Sequence, residues 1–305
     1  MDEPERKAHL DTLRATPAKL KAALKGVPKK LLTWTPAPGK WSMLEIVCHL
    51  RDMERDAYLA RYERILKEDN PTLPDVDGDV YALEKDYRSA KLSEVVRDWA
   101  RLRKDCLRIL AKLRVAEWER VGTHETAGPL SVATLLRRHA VGNDRAHLEQ
   151  IDAIKRRFEI LSKLEALPAN VAGLLRGKAD DVARRAPRPG KWSALEIACH
   201  LRDLDRVWTE RFTKMAFSER PEFYSVQPDR WADLLKYKDA EVAPLLKALK
   251  IGREDMVSLL RSVPAGSWRR TGLHPKRGEI SIEQLAQVVV DHDAKHIEQI
   301  KVALS

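Results

Sequence analysis

The chain has 305 residues, 33% of them charged, with 56 lysines and arginines against 46 aspartates and glutamates and 13 glycines. That length accommodates two domains of ordinary size, and the abundance of leucine, alanine, glutamate, lysine and arginine favours helices over sheets. The sequence excludes a helical membrane span, which needs about 18 apolar residues in a row. No secretory leader is expected, because MDEPERKAHLDTL has neither a basic start nor an apolar core.

Cys48, Cys106 and Cys199 are odd in number and lack a disulfide-framework spacing. The expectation is a soluble, cytoplasmic protein with reduced thiols. The net charge of +10 is spread along the chain without a clustered basic run. It reads as a solvated surface of mixed charge rather than a nucleic-acid footprint.

In chain order, helical periodicity predicts helices near 5–26, 43–69, 91–114 and 131–157, then near 161–178, 194–218, 239–262 and 281–302. Pro17 and Pro168 are placed in first helical turns, and Gly26 and Gly177 come where a helix should stop. Ser42 with Glu45, and Ser193 with Glu196, form the S-x-x-E capping box at the head of an amphipathic run. Ser281 opens the last helix in the same way. The stretches 70–90 and 219–238 carry prolines and aromatics and are expected to pack across one end of a bundle.

These elements repeat. PGKWSMLEIVCHLRD at 38–52 returns as PGKWSALEIACHLRD at 189–203, 151 residues later. Leu10, Leu13, Pro17, Leu24 and Gly26 pair with Leu161, Leu164, Pro168, Leu175 and Gly177 at the same offset. WERVGTH at 118–124 returns as WRRTGLH at 268–274, offset 150, and HLEQI at 147–151 as HIEQI at 296–300, offset 149. Order and spacing persist along nearly the whole chain, which implies a tandem duplication with domains at 1–155 and 156–305. Four amphipathic helices per copy make a four-helix bundle the natural packing of each. No Gly/Ser linker separates the copies.

The histidines follow the repeat. His49 matches His200, His147 matches His296 and His124 matches His274, whereas His292 matches Asn143. His292 and His296, four apart, lie on one helix face. His200, on another helix, is the natural third ligand, and three histidines with an open position are the donor set of a catalytic zinc or similar divalent ion. Asp203, Glu196 and Gln299, with Asp52, Glu45 and Gln150 in the first copy, lie three or four residues from a histidine and are candidates to orient the imidazoles. The competing reading of these carboxylates and amides is a solvated helix face. Trp41, Trp192, Trp118 and Trp268 are expected to be core. His124 and His274 are placed in loops before the last helix.

GKWS…HLRD in both halves, the W…G…H segments and the closing HDAKHIEQI together resemble the DinB-like (DinB/YfiT) family, over both copies. The resemblance implies an all-α protein: two tandem DinB-like four-helix bundles, packed as an internal pseudo-dimer. It implies a divalent metal, zinc or nickel, held by His200, His292 and His296. The matching positions of the first copy are His49, Asn143 and His147, and asparagine is a poor ligand for either metal. His139 does not replace it, since 139 to 147 spans about 12 Å of helix.

Family members include thiol-dependent S-transferases, so the resemblance implies a low-molecular-weight thiol and an electrophilic substrate as partners. The same open site suits a metal-dependent hydrolase. A non-catalytic metal-binding or stress-response module is the further alternative, and fold by itself does not choose among them.

Overall fold

The structure is a computed structural model and describes residues 1–37 and 39–305; Pro38, which opens the first PGKWS motif, lies outside them. The chain divides into two compact units, Met1–Arg156 and Arg157–Ser305.

In the first unit the bundle helices are Glu3–Leu24, the run from Met43 to Lys67, Leu92–Leu110, and a last helix that begins at Val132. In the second they are the later part of Ala146–Leu175, then Ala194–Phe217, Val242–Ser262 and Ile282–Leu304. The periodicity had placed separate helices at 131–157 and 161–178. They form one continuous element, and the unit boundary falls inside it.

Helix starts follow local chemistry. The side-chain oxygens of Ser42, Ser193 and Ser281 accept the backbone N–H three residues on, and Glu45, Glu196 and Gln284 return a bond to the cap. These reciprocal bonds satisfy donors that a helix start leaves free. Each bundle closes on an apolar core, built around Leu13, Tyr62, Ile65, Cys106 and Leu135 in the first unit. Its counterpart in the second unit is built around Val171, Leu195, Ala198, Leu249 and Ile300.

Pro17 and Pro168 are not in first turns. Both sit inside long helices. A proline there removes one i→i−4 hydrogen bond, which leaves the Leu13 carbonyl free in the first unit. Arg103 Nη1 donates to that carbonyl at 3.1 Å.

The falling offset of the repeat also has a structural cause. The run Met43–Lys67 and its counterpart Ala194–Phe217 start 151 residues apart and end 150 apart. The extra residue is absorbed in a π-helical segment, Met53–Leu59, in the first unit. A second π-helical segment, Arg138–Arg145, takes up the step from 150 to 149 in the last helix. A single inserted residue in an α-helix is commonly absorbed this way, as one wide turn. The second unit's two corresponding helices are uninterrupted.

The helical periodicity did not anticipate a short antiparallel hairpin before the last helix of each unit. Val121–His124 pairs with Gly128–Ser131, and Thr271–His274 pairs with Gly278–Ser281. In the first unit Thr72–Leu73 adds a parallel strand. Gly122 and Gly272 are required by close approach: a Cβ would lie 2.9 Å from Leu73 Cδ1 and 2.6 Å from Phe223 Cζ respectively. The stretches that precede the third helices contribute short helices, Gly78–Glu84 and Pro228–Leu234.

Candidate metal centre

The second and fourth helices of the second unit pack against each other. His200 stands on the former, while His292 and His296 stand one turn apart on the latter. His200 and His296 are buried and His292 is half-buried. His292 Nε2 lies 3.2 Å from His200 Nε2 and 3.1 Å from His296 Nε2. The three ligand nitrogens all fall within 4.8 Å of one another.

A tetrahedral zinc at about 2.05 Å from each imidazole would set its nitrogens about 3.3 Å apart, so the observed spacings suit a shared cation. Protonation is disfavoured in the same place. Burial, then the charges of His296 and His292, push His200 down to about 3. Burial and His292 push His296 down to about 4. Neutral imidazole is the form that binds a metal. The Nδ1 atoms of His200 and His292 are buried and have no hydrogen-bond partner among the described residues. The donor set therefore fits a divalent ion, which the three converging imidazole nitrogens would hold.

Most of the expected orienting residues are engaged elsewhere. Glu196 accepts from the Ser193 backbone in its capping box, and Asp203 takes a bidentate pair from Arg202 at 2.8 and 2.7 Å. In the first unit Glu45 is bound by Ser42 and Arg88, and Asp52 by Arg51 and the Tyr87 hydroxyl. Gln150 does reach a histidine, its Oε1 lying 3.0 Å from His147 Nδ1. Gln299 lines a cavity beside His296, and its side chain interacts with that imidazole, partly offsetting the effect of burial.

The tryptophans divide. Trp118 and Trp268 are core. Trp41 and Trp192 are half-buried and lie against His49 and His200, with ring centroids 4.6 and 5.0 Å apart. His124 and His274 end strands, and their Nδ1 atoms accept backbone N–H bonds from Thr126 and Lys276. They fix hairpin turns and belong to neither histidine cluster.

The first unit preserves the frame but not the triad. His49 and His147 have ring centroids 4.8 Å apart, the same separation as His200 and His296. Asn143 occupies the third position, buried, its amide directed at Asp144. Gly78, where the second unit has Pro228, packs directly on His49; a Cβ at Gly78 would stand 2.7 Å from the imidazole.

A second acidic and histidine cluster, not anticipated from the sequence, lies deeper in the first unit: Glu54, His139 and Asp144. Arg103 fills it, donating to Glu54 at 2.6 and 2.9 Å and to Asp144 at 2.5 and 2.9 Å, with His139 Nε2 3.0 Å away. The Tyr58 ring stacks on His139 at 3.9 Å. A fixed guanidinium thus supplies the positive charge, and the cluster is a buried ionic network rather than a cation site. The second unit repeats it with Arg253 between Asp205 and Asp293. The recurrence of Arg103 and Arg253 at offset 150, and of Asp144 and Asp293 at offset 149, hinted at it in sequence.

The DinB superfamily profile matches residues 12–151 and again 163–300. The chain belongs to the DinB superfamily. It carries two DinB segments in a mostly helical chain, with a candidate three-histidine metal site in the second. Among solved structures it is similar to YfiT from Bacillus subtilis, described as a probable metal-dependent hydrolase with an unusual four-helix bundle topology. The identity is 22% and the TM-score 0.49, over 52% of this chain and 90% of that one. No curated protein matches the chain.

Proposed function

We propose that the second unit of this DinB-superfamily protein is a divalent-metal-dependent transferase that joins a low-molecular-weight thiol to an electrophile. The observation that carries the reading is the convergence of His200, His292 and His296, with His296 also forming part of the wall of a cavity of about 1170 Å³. When bound, zinc or nickel supplies an open Lewis-acid position that acidifies a thiol or a water held there.

The chain's own residues narrow the nucleophile. Cys48, Cys106 and Cys199 are all buried. Burial pushes the Cys48 thiol up to about 12 and the Cys199 thiol up to about 11, and raises Cys106 as well. The thiolate is the reactive form, so the protein offers no sulfur of its own, and the nucleophile must enter the cavity. In the transfer an S–C bond forms as the leaving group departs, and the thiol proton is released to solvent.

The test is turnover of glutathione, cysteine or a related thiol with an aromatic halide, run beside hydrolysis of a nitrophenyl ester. Thioether formation that requires zinc or nickel and disappears in His200→Ala supports the proposal. Ester hydrolysis alone would assign the site to water instead. No turnover in a metal-loaded protein would leave a binding module.

A further inference from the structure

The cavity beside His296 has a distinct chemical character. Trp192 and the buried Ile197 give it apolar wall. At its rim stand three exposed cations, Arg188, Lys191 and Lys295. None of the three has an ion-pair partner among the described residues. Of the two acidic side chains in the lining, Glu298 is held by Lys301 at 2.6 Å, which leaves Asp229.

The duplicated chain supplies its own control. At the repeat offsets of 151 and 149, Arg188 and Lys295 correspond to Ala37 and Ala146, while Trp192, Ile197 and Lys191 correspond to Trp41, Ile46 and Lys40. The apolar wall is thus common to both units. Two of the three cations occur only in the unit whose histidine triad is complete. The unit with Asn143 in place of His292 lacks these two cations and keeps Lys40, and there Gly78 lies against His49. A solvated charge face would have no reason to follow the triad in this way.

We infer that this cavity takes a small anionic ligand, with a flat apolar part against Trp192 and Ile197 and a carboxylate- or sulfonate-like group at Arg188, Lys191 and Lys295. The inference rests on the proposed function only in naming what that site would receive. Cations around a cleft raise the local concentration of an anion, and an apolar wall with a few charged groups is the usual composition of a small-molecule site.

The test uses two fluorescent probes with one aromatic frame, 8-anilinonaphthalene-1-sulfonate and the uncharged N-phenyl-1-naphthylamine. Both are titrated into the full chain, with zinc and with chelator. The double variant Arg188→Ala/Lys295→Ala reproduces the residues of the first unit. It is expected to weaken the sulfonate probe about tenfold, consistent with two partly solvated charge contacts, and to leave the neutral probe unchanged. Raising the salt should likewise weaken only the sulfonate. Trp192→Ala should weaken both probes. Equal sulfonate binding in the double variant and the wild type would overturn the inference, as would equal loss of both probes. Indifference of both probes to Trp192→Ala would also overturn it. Because binding is read with chelator present, failure of metal binding or of thiol transfer leaves this result legible.

Discussion

Asn143→His should give the chain a second metal site. The first unit already holds His49 and His147 at the 4.8 Å ring separation of His200 and His296, and Trp41 backs His49 as Trp192 backs His200. Asp144, the next residue, is anchored to Arg103 as Asp293 is to Arg253, so position 143 has the register of position 292 despite the π-helical turn. The larger ring must fit where Asn143 is buried, and over-packing of this kind costs about 1–3 kcal/mol without metal. With zinc at 100 times its Kd, a new site adds about 2.7 kcal/mol to its unit. At roughly 2–4 °C per kcal/mol for a unit of this size, the melting step of the first unit should rise by roughly 5–10 °C on adding zinc. Elemental analysis should read one more ion per chain than the wild type. A variant that is folded by circular dichroism yet binds no additional zinc would refute the argument that Asn143 alone separates the two sites.

Other changes test the framework. Arg103→Met strands Glu54 and Asp144, both fully buried, and should destabilise the first unit by about 3–5 kcal/mol in urea unfolding; a loss under about 1 kcal/mol would contradict the network. Burial favours the neutral form of Glu54, but His139 and Arg103 overcome it and hold the carboxyl well below its ordinary 4.5. A depressed carboxyl contributes stability above its unfolded value and loses it as pH falls through the folded one. Unfolding free energy of the first unit should therefore drop with acid below about pH 4.5, and Glu54→Gln should flatten that slope. Ser193→Ala removes a helix cap and should cost about 1 kcal/mol, read as a lower urea midpoint at unchanged m-value. The three buried thiols should resist Ellman's reagent in the native chain and all react in guanidinium; fast reaction of a native thiol would reopen the case for a protein nucleophile.

The parts legible in sequence were those written locally. The capping serines announced helix starts because cap and partner are three residues apart, and the duplication announced two similar bundles. The triad could be assembled because HxxxH is a one-helix pattern and the repeat singled out His200. What escaped was non-local or small. Arg103, Glu54 and Asp144 are 41 and 49 residues apart in sequence, so no periodicity links them. The hairpin strands are four residues long, too short for an alternating pattern to stand out. The steps in repeat offset were visible, but an inserted residue can leave by a loop or by a widened turn, and only the structure shows the π-helical segments. Pro17 read as a helix start because nothing near it in sequence shows that the Leu13 carbonyl it frees is answered by Arg103, 90 residues beyond Leu13.

The central claim is that His200, His292 and His296 hold one divalent ion. Metal content per chain, measured on protein purified without a His-tag or chelator and then offered zinc or nickel, tests it directly beside His296→Ala. The account predicts one ion in the wild type and none in the variant. A wild-type chain that takes up neither metal, or a variant that keeps its ion, would contradict it.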